Sequence, residues 1–272
     1  MKIKNKIINP PALQTRKLIF LKKVVNTFLS PKIHGSFNKK NAFVANHDNT
    51  KPSKLVSFYH KLTHRLWFIP SMYSAKFWVD IKKDGKRGYT TFMKIDEKAL
   101  FLIENLRKLI NDKNMPILDV GCNIGRFLNV LAIDGCNNLT GIDINQLAIN
   151  DSYSVYPDLV GSADMKCDTI QNFLSNVKEN EFDLIYTMGA TVEHVHPTFP
   201  LVKKLAKASG KYVCFLINER ELYVRFWEIE FRRNGFKLLM KAPFSYFDND
   251  FADRNIPTNE IREVLYIFEK IV

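Results

Sequence analysis

Four residues near the middle of the chain have the types and spacing of a ligand-binding turn. They are Asp119, Gly121, Gly125 and, 22 positions beyond Gly121, Asp143. The first three lie in ILDVGCNIGRFL (117–128), the last in NLTGIDI (138–144). The first stretch reads as a buried strand, a tight glycine loop and the opening turn of a helix. Glycine lets such a loop take positive φ and come close to a ligand with no Cβ in the way. At the carboxyl end of a sheet strand this is the layout of a nucleotide-type site. The spacing is G-x-x-x-G, and Asn123 stands where the dinucleotide fingerprint has its second glycine. Asp119 directly ahead of the loop suits a cationic ligand. A pyrophosphate wants a bare helix N-terminus instead. Asp143 ends the second predicted strand, where a carboxylate offers two adjacent acceptors to a ribose diol.

A second group of polar residues follows the predicted fourth strand, in FDLIYTMGATVEHVHP (182–197): Glu193, His194 and His196. Histidine titrates nearest to working pH, so His194 and His196 are candidate general bases. The plain alternative is that the Glu-His pair braces its loop. His60 and His64 have i,i+4 spacing but no carboxylate or third ligand beside them, which argues against a metal. Asp248, Asp250 and Asp253 lie in a polar connection and read as solvated. No metal site is expected. Cys122, Cys136, Cys167 and Cys214 form no C-x-x-C pair, as in a reduced, cytoplasmic protein.

The elements that must position these groups alternate between strand and helix. Asp96 can cap a helix through Ala99, Leu102, Ile103, Leu106, Leu109 and Ile110. The helix after the glycine loop runs to about Ile133 and stops at Gly135. LVGSADM (159–165) reads as a third strand ending near Ala163 and Asp164, with Asp168 as cap of the next helix. FDLIYTM, KYVCFLI (211–217), GFKLLMKAPF (235–244) and EVLYIFEKIV (263–272) read as strands, and RELYVRFWEIEFRRNG (220–235) as a helix. Such alternation implies a parallel α/β sheet with right-handed crossovers.

Taken together, the Asp119–Gly125 loop, Asp143, the F-D-L-I strand with its later Glu-His, and the closing strand pair resemble the class I S-adenosylmethionine-dependent methyltransferases. The resemblance covers about residues 95–272. It implies a Rossmann-like fold: a mostly parallel seven-stranded sheet with an antiparallel last strand, behind an N-terminal helical or irregular cap. It implies S-adenosyl-L-methionine as cofactor, held by Asp119, Gly121, Cys122, Asn123, Gly125, Asp143, Ile144 and Met188. In the family an acidic or amide side chain after the third strand holds the adenine amino group, which points to Ala163 and Asp164. His194, His196 and Glu193 are then the candidate catalytic groups. TMGATVEHV lacks both the Asn/Asp-Pro-Pro-aromatic motif of amino-methyltransferases and a nucleophilic cysteine, so an O-methyltransferase is expected.

Length and composition set the frame. The 272 residues can bury a full core, and 46% hydrophobic with 25% charged residues is ordinary for a globular protein. No apolar run reaches membrane-spanning length, and no signal peptide is read at the N-terminus. The net charge of +12 is lopsided: residues 1–100 carry 21 Lys and Arg against 5 Asp and Glu, a balance of +16, leaving −4 for the rest. An anionic partner is therefore expected: a membrane surface, a nucleic acid or a phosphorylated substrate. A solvated basic face is the plain alternative.

KLIFLKKVVNTFLS (17–30) has an apolar face bearing Leu18, Leu21, Val25, Phe28 and Leu29, with Lys17, Lys22 and Lys23 largely off it. It can lie on a bilayer or pack as a lid. FYHKLTHRLWFIPSMYSAKFWVD (58–80) is dense in aromatics, suited to cap packing or to stacking on sugars or bases. Residues 1–94 are expected to form a basic, aromatic-rich extension and 95–272 the cofactor domain. The acceptor is expected to be a glycan, lipid-linked sugar or similar small molecule. The protein would then work in the cytoplasm or at the inner face of the membrane. RNA methylation and a non-catalytic cofactor-binding role are the alternatives.

Overall fold

A computed structural model describes Val79, residues 82–84, 88–188, Val192, Val195, and residues 199–217, 226–247 and 260–271. The expectations for residues 17–30 and 58–78, and for Glu193, His194 and His196, lie outside the described residues. Seven strands form one sheet: β1 (Ile117–Val120), β2 (Leu139–Asp143), β3 (Ala163–Cys167), β4 (Phe182–Met188), β5 (Ser209–Ile217), β6 (Phe236–Phe247) and β7 (Glu260–Lys270). Their order is β3-β2-β1-β4-β5-β7-β6. The first five run parallel, while β7 enters antiparallel between β5 and β6. This is the Rossmann-like class I arrangement.

Among the described residues six α-helices accompany the sheet: α1 (Glu97–Leu109), α2 (Arg126–Ile133), α3 (Gln146–Val155), α4 (Ile170–Asn176), α5 (Leu201–Ala208) and α6 (Trp227–Arg233). Alternation along each strand sends successive side chains to opposite faces. Leu118 and Val120 of β1 join a core with α4, α5 and α6. Ile117 joins a second core with α1, α2 and Ile149 of α3. Asp119 sits in this strand with Tyr186 as its register partner on β4, and both belong to the α1–α2 side.

The helix ends follow the sequence signals. The Asp96 side chain accepts from Ala99 N–H at 2.8 Å and starts α1. Asn145 caps α3 by accepting from Leu147 and Ala148 N–H at 3.0 and 3.1 Å. After α2, Gly135 at φ 94° turns the chain and Cys136 N–H bonds back to Leu131 O at 2.9 Å.

The third strand departs from expectation. Residues 157–159 form a 3-10 turn and Gly161 takes φ 77°, so the strand begins at Ala163 instead of ending there. Pro157 opens that turn with its fixed φ, and the strand follows only once the chain has reversed.

Candidate cofactor site

The site lies over the carboxyl ends of β1, β2 and β4, where the glycine loop leaves the sheet. Gly121 at φ 79° and Gly125 at φ 90° bracket Asn123, itself at φ 54°. Two left-handed glycines and a left-handed Asn turn the chain from strand to helix within five residues. The Asn123 side chain stabilises its own strained position by accepting from Ile124 N–H at 2.8 Å. Gly121 and Cys122 N–H both donate to Ile142 O, at 2.8 and 3.0 Å, which moors the loop to β2.

Asp143 joins the loop to the second strand. Its Oδ2 accepts from Asn123 N–H at 2.9 Å and its Oδ1 from Asn145 N–H at 2.8 Å. Burial pushes this carboxyl upward, and those backbone donors oppose the push. A carboxylate has about four acceptor positions, so roughly two stay available for a pair of ligand hydroxyls. Asp143 therefore fits the ribose anchor.

Asp119 is different in kind. It is 2% exposed, and its Oδ2 has no hydrogen-bond partner. Desolvation raises its pKa to about 7, against the nearby Tyr186 hydroxyl and Arg126 charge, which favour the ionised form. The Tyr186 hydroxyl is likewise buried without a partner meeting hydrogen-bond geometry. A buried carboxylate left unpaired at the mouth of a glycine loop is chemically suited to a ligand cation. These observations fit a nucleoside with a positively charged tail.

The remaining expected cofactor residues divide. Met188 ends β4 and is half-buried beside Arg126, whose Nη2 lies 3.9 Å from its Sδ. Ile144 is half-buried just past β2. Cys122 turns its thiol into the apolar core, where burial pushes it upward, so any ligand contact falls to its backbone. Ala163 and Asp164 are corrected: they begin β3, at the end of the sheet away from the loop. Asp164 is exposed and pairs with Lys166 at 2.9 Å. The residues level with Asp143 are its register partner Cys167 and then Asp168, whose N–H donates to Asp143 O at 2.9 Å. Of the acids after the third strand, it is Asp168 that stands level with Asp143. Nor does Asp168 cap α4. Thr169 does, accepting from Asn172 N–H at 3.1 Å, while the Asp168 carboxylate takes the Asn172 side-chain amide.

Sequence reasoning passed over two charged residues, one buried and one half-buried. Arg126, 8% exposed, opens α2, and a cation at the first turn of an apolar helix was the available signal. Lys98 reaches Glu263 at 3.0 Å, tying the first turn of α1 to β7. Glu193, His194 and His196 lie outside the described residues, but the adjacent Val192 and Val195 are 0% and 2% exposed in the α4–α6 core.

A family model described as a methyltransferase domain matches residues 93–251. The chain belongs to that family. It is a class I methyltransferase and its cofactor is S-adenosyl-L-methionine. Among solved structures it is similar to the candidate RNA methyltransferase PH1948 of Pyrococcus horikoshii, at 13% identity and TM-score 0.52, covering 73% of this chain and 96% of that one. The [4+2]-cyclase SpnF matches at 15% identity and TM-score 0.51, over 64% of this chain and 81% of that one. YcgJ of Bacillus subtilis matches at 10% and 0.51, over 64% and 99%. At such identities the likeness shows the fold alone. No curated protein matches the chain.

Proposed function

We propose that this methyltransferase transfers its methyl group to an oxygen of a glycan, a lipid-linked sugar or a similar metabolite. Bound S-adenosylmethionine supplies an electrophilic methyl carbon on a sulfonium with a neutral thioether as leaving group. The residues then have three tasks. Asp143 orients the ribose through its free acceptor positions, and the Gly121–Gly125 loop admits the nucleoside without steric conflict. Asp119 offers a negative charge to the cationic tail. Alignment of the two reacting atoms and exclusion of water provide most of the acceleration for such a displacement. A hydroxyl nucleophile also needs its proton taken, and His194 or His196 is the candidate base.

The observation that carries the oxygen assignment is the sequence TMGATVEHV after β4, with neither the amino-methyltransferase motif nor a nucleophilic cysteine. The lopsided charge supports an acceptor at an anionic surface, with residues 1–94 as the extension that meets it and 95–272 as the transfer domain. We place the enzyme at the inner face of the membrane, in peripheral contact through that basic extension. The direct experiment is transfer of radiolabelled methyl into fractionated cell extract. Label in the lipid-linked or glycan fraction supports the reading, label in RNA replaces it, and no label with any fraction favours a non-catalytic role. His194→Ala and His196→Ala should lower turnover more than cofactor affinity. Wild-type turnover in both would remove them as bases.

A further inference from the structure

A short strap enters the domain ahead of α1 and is pinned to it at one tyrosine. Tyr89 N–H donates to Lys82 O at 3.1 Å and Thr90 N–H to Lys83 O at 3.3 Å, and the Thr90 hydroxyl donates to Lys83 O at 2.9 Å. These bonds draw residues 82–83 against 89–90. A Cβ on Gly88 would collide with Lys83 O, so a glycine lets the two runs approach this closely. The Tyr89 ring is 1% exposed. It packs on Ala148 of α3 and on Ile124, which stands between Asn123 and Gly125 in the glycine loop. Met93, Val155 and Tyr156 close around that contact. The far end of the strap is tied as well, since Lys94 O accepts from Arg126 Nη1.

One acid on α3 gathers both runs of the strap. The Tyr89 hydroxyl donates to Asp151 Oδ2, and Lys83 Nζ reaches the same oxygen at 3.1 Å. Burial first, and then Asp151, push the Tyr89 hydroxyl up, while that hydroxyl and Lys83 hold Asp151 low. The bond therefore stays between a protonated donor and an ionised acceptor. Its two halves differ in exposure. The tyrosine is buried, whereas the Lys83 side chain is 58% exposed and that of Asp151 33%. An exposed ion pair is weak and yields to competing anions, which a buried contact does not. The strap belongs to the basic third of the chain, with its balance of +16 over residues 1–100. A surface of anionic headgroups that engages that third meets Lys83 as well.

We propose that Lys83, Asp151 and Tyr89 form a latch that reports contact with an anionic bilayer to the glycine loop. Headgroups draw Lys83 off Asp151, the Tyr89 ring loosens from Ile124, and the loop releases the demethylated product faster. This rests on the membrane reading and the cofactor assignment made above. A bilayer suits the latch better than free phosphate does. One phosphate competes for one lysine against a carboxylate already in place, whereas a surface engages many basic residues at once and raises the effective concentration of anions at Lys83. Product then leaves, and fresh cofactor enters, where the acceptor lies.

The test is the dissociation rate of S-adenosylhomocysteine from the full chain, read by stopped-flow displacement. It is measured alone, with inorganic phosphate, with phosphatidylcholine vesicles, and with vesicles of phosphatidylcholine and phosphatidylglycerol in equal parts. The mixed vesicles should speed release from the wild type about two- to fivefold, the scale of an exposed ion pair. Neutral vesicles and phosphate should leave it unchanged. Lys83→Gln has lost the exposed half of the latch, so it should release product faster without vesicles and gain nothing from them. Tyr89→Phe keeps the ring and loses the hydroxyl, and its release should quicken about tenfold, the scale of a hydrogen bond to a charged group. Wild-type rates in both variants would overturn the proposal, as would a vesicle effect that persists in Lys83→Gln or a rate raised by RNA and not by vesicles. Melting curves establish that both variants fold, and the surface change Lys83→Gln carries the test should Tyr89→Phe not. Wild-type protein that sediments with mixed vesicles at an unchanged rate sinks the latch alone. Failure to sediment sinks the membrane reading and the latch with it, and failure to bind S-adenosylhomocysteine sinks the cofactor assignment.

Discussion

Asp143 and Asp119 are both buried acids beside one loop, yet the protein has done opposite things to them. Asp143 is surrounded by backbone donors and serves the fold besides its proposed ribose role. Its replacement by Ala removes the acceptor for Asn123 and Asn145 N–H along with the ribose contact. Calorimetry of Asp143→Ala should therefore show cofactor affinity weakened by about 1–3 kcal/mol, the scale of charged hydrogen bonds, and unchanged affinity would reject the ribose role. Asp119 has no such support, and its pKa stands at about 7 against about 3.9 in the unfolded chain. A carboxyl raised in the folded state contributes stability below the unfolded pKa, and that contribution is lost as pH rises through the folded pKa. The groups facing it are the Tyr186 hydroxyl, the Arg126 cation and the Asp143 carboxyl. Asp119→Asn in the ligand-free protein should thus gain Tm relative to the wild type as pH rises from about 4 to about 7, the window those two values define, and keep that gain above it. Parallel melting curves across that range would show that burial does not strain this group. In the same variant, binding of the cationic tail should weaken at pH 8, where the wild-type carboxylate is charged.

At the scale of elements, the close approach of α2 to β2 depends on a missing side chain. A Cβ built on Gly141 would lie 2.6 Å from Leu128 Cδ1 and 2.9 Å from both Cys122 Sγ and Met165 Sδ. Gly141→Ala should cost about 1–3 kcal/mol of stability through overpacking, read by denaturant unfolding, and should disturb the loop that Ile142 O moors. A variant as stable as wild type would show that the neighbouring side chains yield freely. Most of this element level was legible in the sequence. Asp96, the Gly121–Gly125 loop, Gly135 and the apolar runs each carry a local signal that tertiary packing did not override. The third strand was misplaced because LVGSADM has strand-like residues while Pro157 and Gly161 set a turn across its first half. That one shift pointed to Asp164, at the start of β3, where Asp168 is the acid level with Asp143. α3 received no assignment, since its start depends on the Asn145 side chain folding back on Leu147 and Ala148 N–H, a cap with little periodic signal behind it. Arg126 was missed for a different reason: its neighbours Lys94 and Met188 are distant in sequence, and only the fold brings them together.

The whole molecule is electrically divided, with +16 over residues 1–100 and −4 over the remainder. The transfer domain therefore has no net attraction to an anionic surface, and any such attraction must come from the N-terminal third. Each basic residue near an anionic bilayer contributes about 1 kcal/mol, and the apolar face of residues 17–30 adds burial to that. The sum supports reversible attachment, screened by salt over a Debye length of about 10 Å at 0.1 M. Full-length protein should co-sediment with vesicles containing anionic lipid, less so as salt rises, and not with neutral vesicles. Deletion of residues 1–30 should abolish sedimentation and leave S-adenosylhomocysteine affinity unchanged, because the proposed cofactor residues all lie beyond Glu97. The rival account makes Leu18, Val25 and Phe28 the inner face of a lid. Under it the deletion would weaken cofactor binding or solubility, and intact protein would ignore anionic vesicles. Competition by RNA distinguishes the remaining possibility. Lys and Arg held to phosphates release counterions, so binding to RNA would fall steeply and log-linearly with salt and would not depend on the apolar face. Substituting Leu21 and Phe28 with Ser therefore separates the surfaces. Loss of vesicle binding with basic charge intact identifies a bilayer, whereas retained binding to RNA alone would move the enzyme's acceptor to nucleic acid.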